Sequence, residues 1–276
     1  MILKENSKVK VISFSIFTVI FYDLFFMFYF GIITHFIGDK NFLDENYLFL
    51  DTIACLILLP IYTYLYKRKT FKLNLMGNMS TIKFVLITLG SIGFSTIWVI
   101  GFNYISEKIT FLNEIYNNFN ETWSDILKED YIWILLSVVI LGPIVEELLF
   151  RGIIINTLNN TFSRKTAILI SAVIFGIWHK DLIQMVYTIF FGIVLGVVYS
   201  RTNNIKYPIY MHILNNFLNS LPDFEIFYNI YFYINIISII LIIPSVILIY
   251  KKGKNELSLN DFDEICDNSQ LIQNRD

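Results

Sequence analysis

The chain has 276 residues, of which 55% are hydrophobic and only 16% charged, and its formal net charge is -2. Soluble domains carry about 25% charged residues, so with a mean hydropathy of +0.59 a soluble globular domain is excluded and a polytopic membrane protein is expected. Basic residues are confined to the flanks of apolar runs, which excludes a nucleic-acid-binding surface.

Taken in chain order, eight all-helical spans are predicted at roughly 11–34, 47–66, 81–105, 131–155, 166–180, 182–200, 206–221 and 227–250, each near the ~20 residues a bilayer needs. The first, after Lys10, is too long for a signal peptide and lacks a small-residue cleavage site. The fifth and seventh are short, and the break at Lys180-Asp181 is tight. Connections alternate in charge. Lys4, Lys8 and Lys10 precede the first span. Lys67, Arg68, Lys69 and Lys72, then Arg164 and Lys165, then Arg201 and Lys206, and finally Lys251, Lys252 and Lys254 mark one side. The other side is acidic, with Asp39, Asp44 and Glu45, then Glu107 to Asp130, then Asp223 and Glu225. The positive-inside rule therefore puts both termini in the cytoplasm.

Residues 1–254 read as one transmembrane domain, and 255–276 as a polar cytoplasmic tail without apolar periodicity. The segment 106–130 has the alternation of an interfacial helix. Cys55 falls in a span and Cys266 in the tail, with no metal-ligand spacing and no disulfide suggested. There is no internal repeat and no nucleotide-binding glycine motif. The richness in Ile, Asn, Lys and Phe fits an AT-rich bacterial gene, and the cell membrane is the expected location.

Chemistry enters through polar groups at membrane depth, where uncompensated carboxylates cost several kcal/mol. Glu146 and Glu147 are adjacent within Leu141-Gly-Pro-Ile-Val-Glu-Glu-Leu-Leu-Phe-Arg151. Arg151 lies one helical turn after Glu147 and is its expected ion-pair partner, which leaves Glu146 unaccounted for. His179 ends the fifth span. His212 and Asn216 share one face of the seventh. Two carboxylates, two imidazoles and a carboxamide suffice for hydrolysis, since a carboxylate can deprotonate water and the others can orient it or stabilise an oxyanion. Each has a structural alternative: a packed histidine, a helix-gluing asparagine, an ion pair.

Glu-Glu-x-x-x-Arg at 146, 147 and 151, Phe-x-x-x-His at 175 and 179, and His-x-x-x-Asn at 212 and 216 resemble, in order and spacing, the motifs of the CAAX protease and bacteriocin-processing intramembrane proteases. The resemblance covers about 131–221, the core four spans (the fourth to seventh). It implies a glutamate-dependent endopeptidase with a polar cavity between those spans and no serine or cysteine nucleophile. Carried over, Glu146 is the general base and His179 helps to hold the water. Glu147 assists Glu146 or pairs with Arg151, and His212 with Asn216 stabilises the oxyanion. The implied substrates are membrane-associated peptides or proteins: a prenylated carboxyl terminus, a secreted signalling peptide, or a bacteriocin.

Zinc is the competing chemistry, because two histidines and two glutamates could ligate it. The HExxH arrangement is lacking, and metal-independent hydrolysis without a cofactor is the favoured reading. Two non-proteolytic rivals remain. One is a bacteriocin-immunity or scaffold protein of the same fold. The other is a proton-coupled transporter, for which no repeat or paired broken helices are found. Two points stay open. Along ideal helices Glu146 falls about 22 Å from the outer start of its span while His179 lies nearer the outer side, so the groups meet only if a helix bends, as Gly142-Pro143 allows. Asp23, an acid inside the first span, has no assigned role.

Overall fold

The computed structural model describes residues 2–38, 40–69, 76–221 and 225–259, and these are helical with short connections. Lys72, Asp39, Asp223 and Cys266 lie outside them. We number the main helices α1 (Ile2–Ile37), α2 (Tyr47–Lys69), α3 (Thr81–Ser106), α4 (Thr110–Lys128), α5 (Tyr131–Leu158), α6 (Arg164–Trp178), α7 (Leu182–Thr202), α8 (Lys206–Asn219), α9 (Glu225–Ile240) and α10 (Ile242–Tyr250).

A helix therefore occupies each of the eight expected places, and the protein is an all-α multi-pass membrane protein. Only α1, α2, α3, α5 and α7 are long and apolar enough to cross a bilayer individually. The 15 residues of α6 and 14 of α8 extend about 21–23 Å at 1.5 Å per residue, short of a ~30 Å hydrocarbon core. The expected last span is broken: α9 and α10 meet at a 50° bend. The break packs against α3, where Gly90 and Gly93 bring the backbones so close that a Cβ would overlap Ser245 and Leu241 at the first position and Ser238 at the second. Small residues permit such approach between membrane helices.

Helix starts follow their capping chemistry. Ser80 and Ser163 accept from Lys83 N and Thr166 N at 3.3 Å each, and Asp181 accepts from Gln184 N at 2.6 Å. The α6–α7 link is tight because Lys180 adopts a left-handed φ of 62° immediately before that Asp181 cap. As expected, 110–128 forms an amphipathic helix: α4 buries none of its residues and lies across the bundle, touching α3 and α7.

Half of the most apolar α7 window is buried, against 17% for α1. So α7 is central and α1 peripheral, with Phe17 and Phe28 of α1 exposed, where lipid is their natural solvent. One core joins α1, α2, α5 and α6 around Tyr62, Phe150 and Phe175. A second joins α3, α7 and α8 around Ile87, Leu195 and Met211.

The tail differs from the free extension expected after residue 254. Glu256 is buried, its carboxylate paired with Lys83 Nζ at 2.7 Å and Arg201 Nη1 at 3.3 Å. Asn78 N donates to Asn255 O at 2.8 Å and Leu257 N to Arg201 O at 2.9 Å. Residues 260–276 fall outside the described part.

Candidate active site

The glutamate pair sits where α5 departs from α-helical geometry. Residues Ile134–Leu141 and Leu148–Ile155 are π-helical, with six α-helical residues, Gly142–Glu147, between them. Pro143 explains part of this: it has no N–H to donate, and the preceding Gly142 N–H bonds five residues back to Ser137 O. π-turns recur at functional sites. Gly142 is required by the close packing there, since a Cβ would stand 2.8 Å from Ser137 O and 3.7 Å from Glu146 Oε1.

Adjacent helical residues point about 100° apart, and the two glutamates separate accordingly. Glu147 turns into the core, with its side chain 0% exposed. Its Oε1 accepts from Arg151 Nη1 at 2.8 Å and meets His212 Nδ1 at 2.9 Å. Arg151 is itself buried, donates to Gly192 O at 3.4 Å and lies over the Phe175 ring at 4.5 Å. Glu146, 16% exposed, faces a cavity and approaches His212 Nε2 at 3.9 Å, beyond hydrogen-bond reach. The Oε2 atoms of both glutamates are buried and accept no hydrogen bond.

These contacts fix the histidine tautomers. A carboxylate paired with Arg151 only accepts, so His212 Nδ1 carries a proton and Nε2 is turned toward Glu146. His179 Nδ1 lies 2.7 Å from Phe175 O, which likewise only accepts, so Nδ1–H donates and Nε2 is again the free acceptor. The Phe175 ring stands edge-on to both imidazoles, with centroids 4.6 and 6.0 Å away. Asn216 Nδ2 donates to Val138 O at 2.8 Å, tying α8 to the π-helical part of α5.

The cavity measures about 880 Å³ and is lined by Glu146, His179, His212 and Asn216 together. Groups that ideal helices would hold at different depths thus line one cavity, with π-helical stretches of α5 on either side of Glu146. Glu147 and Arg151 lie behind this wall. The cavity is wider than the expected space between the fourth and seventh spans: α1, α2, α3, α4 and α9 also contribute.

Two features were not legible in the motifs. Asp23 grips both neighbours of His179, accepting from Trp178 Nε1 at 3.0 Å and pairing with Lys180 Nζ at 3.0 Å. Asp51 lines the cavity and takes hydrogen bonds from Ser137 and, at 3.8 Å, from Cys55 Sγ. It resembles a helix-end acid by position, and only its apolar surroundings signalled otherwise. Among the described residues no three His, Cys, Asp or Glu side chains converge as metal ligands.

Comparison with known proteins bears on this arrangement. Residues 128–218 match the family described as type II CAAX prenyl endopeptidase Rce1-like. The matched segment, about a third of the chain, is similar to that family. The chain is also 33% identical over 136 residues to the Bacillus subtilis (strain 168) protein named "Putative membrane peptidase YdiL". That match covers 46% of this chain and 55% of the relative, so it spans about half of each. No solved structure matches. The matched region contains all three motifs and ends just after Asn216; α1, α2 and the last helix pair lie outside it.

Proposed function

We propose that the protein is an intramembrane endopeptidase that hydrolyses a peptide bond with water activated by Glu146. The observation that carries this reading is a carboxylate with no Lys or Arg partner of its own among the described residues, facing a cavity beside two imidazoles. A water held by His179 Nε2 would give its proton to Glu146 as its oxygen attacks the carbonyl carbon. Glu146 would then pass that proton to the departing amine, so that hydroxyl joins the acyl product and hydrogen the amine. The oxyanion needs donors. Asn216 has one Nδ2–H beyond its bond to Val138, whereas His212 Nε2 can donate only once it has gained a proton.

Glu147 is the positioning partner in this scheme, holding His212 and Arg151. The metal-independent form of this reading is supported by the lack, among the described residues, of three converging His, Cys, Asp or Glu side chains. The substrate would be a membrane-associated peptide or protein, a prenylated carboxyl terminus or a secreted peptide, and the basic connections would place both termini in the cytoplasm. The rival is a binding protein, of immunity or scaffold type, that uses the same cavity without cleavage.

The test is cleavage of fluorogenic peptides by the purified chain in nanodiscs, comparing wild type with Glu146→Gln, with and without chelator. Cleavage lost in the variant and insensitive to chelator is expected. Cleavage abolished by chelator and restored by zinc would overturn the metal-free mechanism. A monodisperse wild type that binds peptides without cutting them would favour the immunity or scaffold reading.

A further inference from the structure

The charge of the cavity is unbalanced. Asp23, Asp51 and Glu146 are its carboxylates and Lys180 its lysine. Lys180 is consumed by Asp23 at 3.0 Å. Among the described residues Asp51 has no cationic partner. Ser137 and Cys55 both donate to its Oδ2. Two neutral donors orient the carboxylate without cancelling its charge.

Aromatic faces adjoin it. Tyr47 lies one turn before Asp51 on the same helical face and stacks on Phe30 of α1, with centroids 5.3 Å apart and planes 12° apart. Both rings line the cavity. A carboxylate beside aromatic faces, in partly desolvated surroundings, is the chemistry that selects an ammonium or guanidinium group.

We propose that Asp51, Tyr47 and Phe30 form a subsite for a lysine or arginine side chain of the peptide that occupies the cavity. The inference rests on the proposed endopeptidase reading and names its substrate class: a basic peptide segment. Ser137, which holds Asp51, lies nine residues before Glu146 on α5. Along an extended peptide the cation therefore falls about three or four residues from the bond that Glu146 faces. Of the other two cavity carboxylates, Asp23 is committed to Lys180 and Glu146 faces the bond to be cut, which leaves Asp51 for the cation.

The experiment uses the full chain in nanodiscs and two peptide sets, identical except for lysine or norleucine at each position in turn. Cleavage is measured with wild type. Binding is measured by fluorescence anisotropy with Glu146→Gln, so that it does not depend on turnover. A lysine peptide is expected to exceed its norleucine twin about tenfold in both kcat/KM and affinity, at one position of the scan. Asp51→Asn, which keeps an acceptor for Ser137, should abolish that ratio. Tyr47→Leu, which leaves the carboxylate intact and serves if Asp51→Asn does not reconstitute, should lower it about threefold. Equal binding of both peptides, or a lysine preference that survives both substitutions, overturns the subsite. Asp51-dependent binding with no cleavage by wild type would sustain the subsite and sink the endopeptidase reading. Cleavage with no lysine preference would do the reverse.

Discussion

The protein buries two clusters of charge, and they are built differently. At the ends of α3, α7 and α10, Glu256 meets Lys83 and Arg201, and its Oε2 also accepts from Gly253 N at 2.9 Å. The cations in turn bond the carbonyls of Lys251 and Tyr250. Both carboxylate oxygens are matched. In and behind the cavity wall, by contrast, Glu146 and Glu147 each keep an oxygen that accepts no hydrogen bond from the described residues. Buried charge is tolerated when paired and is unfavourable when it is not. The first cluster is therefore a fastening. The second holds acceptor capacity in reserve for something that enters.

Substitutions can break or sharpen this contrast. The largest effect is expected from Glu146→Gln: peptide cleavage should fall about 10³-fold, while the thermal midpoint holds or rises, because an unpaired buried charge has been removed. A drop in midpoint equal to that of a fastening residue would erase the distinction. Glu256→Ala should do the opposite, costing about 3–5 kcal/mol by leaving two buried cations unmatched, as read by denaturation of the reconstituted chain, with cleavage by the surviving folded fraction retained. Arg151→Leu tests the mixed case. It strands Glu147, so both stability, by a similar amount, and cleavage should suffer.

Smaller effects follow at the edges of the site. Gly142→Ala should cost about 1–3 kcal/mol through the Ser137 carbonyl clash, and should reduce cleavage about tenfold or more by displacing Glu146. Asp23→Asn should change stability by less than about 1 kcal/mol, since its bridge to Lys180 is partly solvated. Any fall in cleavage would then report the placing of His179.

Much of this was legible in the sequence. Glu146, Glu147, His179, His212 and Asn216 announce themselves as polar groups that an apolar span does not otherwise carry, and Arg151 is found by helical spacing from Glu147. What the sequence could not supply was depth. The π-helical stretches of α5 change how residues advance along the axis, so ideal-helix arithmetic kept Glu146 and His179 apart when they share one cavity. Asp51 belongs to none of the motifs, and its distance from a span end is a poor measure of exposure when a neighbouring helix supplies Ser137. The short α6 and α8 looked like weak spans because hydropathy counts length, whereas their place is secured by packing against α5 and α7. Docking of Glu256 depends on two cations more than fifty residues away, and no local pattern encodes it.

That docking has a topological consequence. Lys83 opens α3, Arg201 closes α7 and Glu256 follows α10, so a contact among the three puts those helix ends on one face of the membrane. The chain must then traverse an even number of times between Lys83 and Arg201, and again between Arg201 and Glu256. Helices α3, α5, α6 and α7 satisfy the first condition only if the short α6 counts as a traverse. The second holds if α8 and the bent α9–α10 pair each count as one, or if neither does. With α3, α5 and α7 as crossings and α4 outside the bilayer core, parity requires α6 to cross, and it makes α8 and the broken pair cross together or not at all.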